Sequence, residues 1–338
     1  MKKIKLRILL IVAFSLLLLS VGCSKDNNNG ADSTKANNTS STVVDEVEAT
    51  SLETSEPEET TNIEKGFTVV DMTGNKVEFD KTPEKIVTLL ASDVEILYAL
   101  GAQDSIVAVG EYCNYPSEAL EKTVITTGDD LNMEQVMQAA PDVVIMGTMG
   151  QTEEQITKLK DAGIKVVITD SQNIADTYEA IGLLGQVSGK SEKAKELIDG
   201  MKADFKAISD KVTEENKKTV YFEVSPLAYG LWTAGQNTFM QEIADIVGVK
   251  NAFGNLDGWA EISEEQVLKR NPDYIVTVSM NYENDKTPSE EILSRKNWEN
   301  INAVKNNKVI SNETDMFTRP GPRLVDAAKE LYDFVYGE

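Results

Sequence analysis

The chain has 338 residues, 26% of them charged, and a formal net charge of −23. That length holds one large or two medium domains with proper cores. The acidity argues against nucleic acid and anionic lipid surfaces as partners. The absence of histidine removes His-ligated zinc, manganese or haem and the usual catalytic triads.

Residues 1–23 read as a secretory leader. Lys2, Lys3, Lys5 and Arg7 form a basic start, and 8–19 is apolar except for Ser15. The run is too short for a comfortable membrane span and right for a signal segment. It leads to Leu19-Ser20-Val21-Gly22-Cys23, which resembles a bacterial lipobox. The resemblance implies that Cys23 is the acylated first residue of the mature protein. One departure is Ser20 where such motifs usually carry Leu, with Leu19 displaced by one. Cys23 and Cys113 are the two cysteines, so no internal disulfide is expected in the mature fold.

Residues 24–65 are Asn, Ser, Thr, Asp and Glu with almost nothing to bury, and read as a disordered acidic tether. As a flexible coil its reach is roughly 35–40 Å. Together, anchor and tether place a soluble domain at the outer face of the cell membrane.

Folding starts near Gly66. A hairpin is expected over 67–79 with a turn at Gly74-Asn75. Strand-like runs at 86–90, 106–110 and 165–168 then alternate with helical stretches at 93–100 and 153–162. This alternation predicts an α/β lobe over 66–188 with a mostly parallel sheet flanked by helices. Residues 189–218 read as one long, rigid connecting helix with Leu197, Met201, Phe205, Ile208 and Val212 on one stripe. A second α/β lobe fills 219–338 and ends in a helix from about 324 to 336, with the ligand cleft expected between the lobes. Gly185 to Ser191 looks like a phosphate loop but is one residue short and lacks a preceding strand, so it reads as a turn.

One phrase occurs twice. Glu134-Gln135-Val136-Met137 with Pro141-Asp142 returns 131 residues later as Glu265-Gln266-Val267-Leu268 with Pro272-Asp273. Each copy reads as a capped helix, a stop and a buried strand, with Asn132 and Ser263 as N-caps and Gln135 and Gln266 at the capping-box position. Glu134 and Glu265 therefore hold equivalent places on the two lobes.

Loops at expected strand ends carry the candidate site. Tyr112 to Pro116 supplies Tyr115, and a thiol, Cys113, that is either a ligand contact or a packed, inert group. In the second lobe, 229–235 is an aromatic loop holding Trp232, Trp259 lies just ahead of the second repeat helix, and 315–323 supplies Asp315, Phe317, Arg319 and Arg323. Together they predict one shared pocket.

These features resemble the substrate-binding proteins of iron-chelate and vitamin B12 ABC importers. The resemblance runs from about Phe67 to the C-terminus and rests on the paired Glu-Gln-Val phrase, on Leu231-Trp232-Thr233-Ala234-Gly235 and on Arg319-Pro320-Gly321-Pro322-Arg323. It implies a monomeric, non-enzymatic lipoprotein with no cofactor of its own. Glu134 and Glu265 would dock onto arginines of the permease dimer. A small ligand, a corrinoid, would be held by Tyr115, Trp232, Trp259, Asp315, Phe317 and Arg319. Cobalamin binders often add tryptophans from the first lobe. Here 67–187 has none, and Gly128 and Gly147 stand in the turns where they would be sought, which leaves haem or a ferric siderophore open. A chelatase-like enzyme relying on Glu111, or a surface receptor outside transport, are the readings from other classes.

Overall fold

The computed structural model describes residues 66–127, 131–148, 152–212, 218–278, 286–311 and 315–337. The leader, Cys23, the tether and Gly128 lie outside the described residues.

The first lobe opens with the expected antiparallel hairpin, β1 (Phe67–Val70) and β2 (Lys76–Phe79). The Asp71 carboxylate closes its turn by accepting from the backbone N–H groups of Thr73 and Asn75. Next come β3 (Ile86–Thr88), α1 (Ala91–Ala99), β4 (Ile106–Gly110), β5 (Thr123–Ile125), α2 (Met133–Ala139), β6 (Val143–Gly147), α3 (Glu153–Asp161), β7 (Lys165–Thr169) and α4 (Ile174–Val187). The five strands pair in parallel in the order β5-β4-β3-β6-β7. Strand residues alternate between two cores: Ile86, Val109, Ile145 and Val167 face one, and Val87, Ala108, Val144 and Val166 face the other. A parallel sheet covered on both faces explains why its strands read as near-continuous apolar runs.

After α5 (Ser191–Ser209), the second lobe comprises β8 (Thr219–Glu223), β9 (Leu231–Ala234), α6 (Phe239–Val247), β10 (Lys250–Asn251), β11 (Trp259–Ile262), α7 (Glu264–Arg270), β12 (Tyr274–Thr277), α8 (Pro288–Leu293), α9 (Asn302–Lys305), β13 (Val309–Ser311) and α10 (Leu324–Tyr336). Its parallel sheet runs β10-β8-β12-β13, and β9 and β11 form a separate antiparallel ribbon. The aromatic loop expected at 229–235 is thus largely a strand. Trp232 and Thr233 suit a pleated ribbon, and their partners Glu261 and Ala260 complete the ladder.

The repeat is structural. Asn132 accepts from the Gln135 backbone N–H, and Ser263 from that of Gln266. Each helix stops on a left-handed residue, Ala140 (φ 45) and Asn271 (φ 47), ahead of its proline. Asp142 then accepts from the backbone N–H groups of Glu84 and Lys85 just before β3, and Asp273 from that of Thr219 at the start of β8. β3 and β8 are the strands beside β6 and β12. Each Pro-Asp pair therefore pins the entry of the adjacent parallel strand. The full capping box forms only in the second copy, because Gln135 turns to accept from the Thr126 backbone N–H instead.

α5 is unbroken through Gly200 but spans 191–209 rather than 189–218, and it does not join the lobes alone. Its buried Met201, Phe205 and Ile208 belong to one apolar core that continues from β3, α1 and α4 into α6, α10, Val220 and Phe222. Gly185 to Ser191 spans the end of α4, a turn at 188–190 and the first residue of α5, so the segment links two helices as its sequence context implied.

Candidate ligand cleft and docking face

Parallel topology puts the strand ends of both lobes, and the starts of the helices that follow them, along the seam between the lobes. At one point of that seam a buried charge cluster joins the lobes. Glu95, on α1, is surrounded by the apolar Val94, Ile96 and Leu97. Its Oε1 accepts from Nη1 of Arg319 at 3.2 Å and Nη2 of Arg323 at 2.6 Å, and its Oε2 accepts from Nε of Arg323 at 2.7 Å. Arg319 also donates to Asn114 Oδ1, the Tyr112 carbonyl and Asp315 Oδ2. Burial opposes the charge on Arg323, but the hydrogen bonds and charge of Glu95 outweigh it and hold the guanidinium above its ordinary pKa. Above this cluster the Arg323 guanidinium lies 4.0 Å from the centroid of the Tyr115 ring, which is 46% exposed.

A cavity of about 650 Å³ opens at this point, between α1, the loop at 115–122 and Pro322-Arg323. Tyr98, Tyr115, Glu118, Glu121 and Lys122 are among its walls, so its rim is aromatic and charged, with Lys122 Nζ donating to the Gln103 carbonyl at 2.9 Å. Burial, then the charges of Glu118 and Glu121, raise the pKa of the Tyr98 phenol and keep it protonated.

A second seam contact lies at Trp259. Trp259 donates its indole N–H to Gln172 Oε1 at 3.2 Å and meets Phe239 edge-on. The Phe239 backbone N–H donates to the Gln172 carbonyl, and Glu242 caps the start of α4 at the Ile174 N–H. Trp232, on β9, is 40% exposed.

The expected site is therefore divided. Tyr115 lines the cavity with Arg323, while Arg319 and Asp315 are engaged beneath it and with each other. Trp259 is held at a different part of the seam. Phe317 is a correction: it is fully buried and packs against Phe222, because its neighbours on the 315–323 turn face the seam and it takes the inward position. Gly147 is another: it ends β6 rather than lying in a turn, and a Cβ there would stand 2.6 Å from Leu90 Cδ1. Cys113 is buried, and that burial pushes its thiol up to about 12, so the packed reading fits. Glu111 is occupied in accepting from the backbone N–H and hydroxyl of Thr127. Sequence reasoning missed Glu95, Asn114 and Gln172.

On each lobe the repeat helix begins at the seam end and runs back to feed its strand. Glu134 and Glu265 are exposed and carry no ion pair or hydrogen bond among the described residues. The neighbouring Glu264 points inward and accepts from the Trp298 indole at 2.9 Å. Trp298 in turn lies under Arg295, which is bound at both nitrogens by the buried Glu223. This chain of contacts fixes α7 to the end of β8.

A sequence profile of periplasmic binding proteins matches residues 86–315. The chain belongs to the periplasmic binding protein family. This periplasmic binding protein is 36% identical over 276 residues to the uncharacterized ABC transporter substrate-binding lipoprotein YvrC of Bacillus subtilis, covering 80% of this chain and 85% of that one. It is 28% identical over 251 residues to the vitamin B12-binding protein of Salmonella paratyphi A, covering 73% and 88%. Among solved structures it is similar to a possible iron-binding periplasmic solute-binding protein of Staphylococcus epidermidis, with 33% identity and TM-score 0.64, covering 76% of this chain and all of that one. The periplasmic binding protein described here thus serves an ABC importer as its substrate-binding component.

Proposed function

We propose that this protein captures a corrinoid in the seam cleft and delivers it to the importer's permease. The observation that carries the ligand choice is the closed charge state of Arg319 and Arg323. An anionic ferric chelate or haem needs basic groups to offset its charge, and both arginines that face the seam are already bound by Glu95 and Asp315. What remains is Tyr98, Tyr115, Glu118, Glu121 and one cation, Lys122, which donates to the Gln103 carbonyl and stands among two carboxylates. Aromatic faces and polar groups of this kind suit a largely neutral ring system with amide side chains. The relatives named vitamin B12-binding proteins support the same choice. Titrating the full chain with cyanocobalamin, haemin and a ferric hydroxamate, followed by tryptophan quenching, tests it. Cyanocobalamin should bind at least 100-fold more tightly than the others, and preferential binding of haemin or the hydroxamate would sink the proposal.

Delivery is proposed to use Glu134 and Glu265 as a pair of exposed carboxylates, one per lobe, for a two-fold permease with basic sockets. A carboxylate in the first turn of a helix is favoured by the helix dipole by about 0.3–1 kcal/mol, so the helix start tolerates an exposed acid there. Glu134→Arg with Glu265→Arg should abolish uptake and leave cyanocobalamin binding intact. A lipid on Cys23 is proposed to hold the protein at the outer face of the cell membrane. Mass spectrometry of the mature N-terminus checks this, and a chain cleaved without acylation refutes it.

A further inference from the structure

The repeat contains more shared positions than docking by two glutamates requires, and most of them have a duty in the fold. Gln135 and Gln266 serve the helix starts. Val136 and Val267 are fully buried. Ala140 and Asn271 make the left-handed stop, and Asp142 and Asp273 pin the adjacent strands. Two pairs are left without such a duty: Glu134 with Glu265, and Met137 with Leu268.

Met137 is 47% exposed and Leu268 is 36% exposed. Of the large apolar side chains exposed among the described residues, these are the only two on α-helices. A single exposed apolar residue is ordinary. Two at equivalent places on duplicated helices are not explained that way, because the copies differ at most other exposed positions, with Gln138 against Lys269 for example. Residues three apart on a helix are surface neighbours. Each lobe therefore presents one compact patch made of a carboxylate and an apolar side chain.

Resting on the docking reading above, we propose that Met137 and Leu268 form the apolar half of a duplicated contact with the permease dimer. Each half of the partner would offer a cation flanked by an apolar socket. The socket and the Met or Leu side chain exclude water from the ion pair beside them, which strengthens it by lowering the local dielectric. The apolar groups also hold the complex at salt concentrations that screen the carboxylates.

The test measures binding of the full chain to the producing cell's permease–ATPase complex, both in one detergent, by thermophoresis at 50 and 500 mM NaCl. Met137→Gln with Leu268→Gln keeps helix propensity and should leave thermal unfolding unchanged. It should weaken the complex about 10- to 60-fold, from the exposed part of two side chains, with the larger factor at 50 mM NaCl, where the shielded ion pairs are unscreened, and a loss that persists at 500 mM. The exchange Met137→Leu with Leu268→Met keeps the apolar area and should bind as the parent does. Affinity within twofold of the parent for the glutamine pair, while Glu134→Gln with Glu265→Gln is weakened, overturns the apolar role and leaves the carboxylates standing. A loss that disappears at 500 mM NaCl overturns it as well. If neither pair changes affinity, the docking face itself is wrong.

Discussion

Replacing Glu95 by Gln removes one charge from the most consequential contact between the lobes. In the parent, one carboxylate on α1 accepts three N–H donors from two guanidinium groups of the second lobe, with the Glu95 and Arg319 side chains 2% and 9% exposed. Gln keeps the volume but removes the carboxylate charge that faces both guanidinium groups, leaving Arg319 to Asp315, Asn114 and the Tyr112 carbonyl. Breaking a buried pair from one side costs about 3–5 kcal/mol. Some hydrogen bonding survives in Gln, so about 2–4 kcal/mol is expected here. At roughly 2–4 °C per kcal/mol for a domain of this size class, the melting temperature should fall by about 4–16 °C. Circular dichroism of the full chain measures it, and Glu95→Gln combined with Arg323→Gln completes a double-mutant cycle. The double variant should be less destabilised than the sum of the singles by at least about 1 kcal/mol. A Tm within 2 °C of the parent, or strict additivity, refutes the view that this cluster fastens the lobes.

Asp93 is buried beneath the sheet and held only by the Thr169 hydroxyl at 2.8 Å among the described residues; burial raises its pKa to about 7, partly offset by that hydrogen bond. The folded state therefore binds a proton that the unfolded chain has lost, so stability falls as pH rises from about 4 to about 7. Asp93→Asn should unfold at a higher temperature than the parent at pH 8 and near it at pH 4, and equal behaviour at both refutes the assignment. Gly200 is exposed inside α5, with nothing within 4 Å of an added Cβ, so Gly200→Ala should gain about 0.5–1 kcal/mol in denaturant unfolding. Ala140 is left-handed where an L-residue is strained, and Ala140→Gly should be neutral to stabilising rather than destabilising by the same measurement. Phe317→Ala should cost about 3–5 kcal/mol of stability as a core cavity, and a loss of ligand affinity with full stability would return Phe317 to the pocket.

Much of the frame was legible because it depends on local chemistry. The duplicated helix-stop-strand unit announced itself through caps, prolines and short apolar runs, each of which has a local cause. The site was less so. A residue's place at a strand end says that it is near the seam, but not whether its donors are free. Arg319 read as a ligand contact because its partners, Glu95, Asn114 and the Tyr112 carbonyl, are more than 200 residues away in sequence. There was one usable signal: a glutamate flanked by Val94 and Ile96-Leu97 falls in a stretch that packs inward and calls for a cation, and the 315–323 segment was the loop that carried two. Phe317 was misplaced for a related reason, since a turn with two prolines hides which of its side chains faces inward. The β9–β11 ribbon was missed because its strands are short and pair antiparallel across α6.

The apolar core that runs without a break from α1 through α5 to α10 has a consequence for how a loaded protein is told from an empty one. With the seam also fastened at Glu95 and at Gln172, the separation of the two glutamate-bearing helices is expected to act as a fixed gauge. A partner that straddles both helices would measure the same span with or without cargo. Loading would then be announced at the rim, by what the ligand does to Tyr115 and its neighbours. Spin labels beside Glu134 and Glu265 should report one distance before and after cyanocobalamin is added.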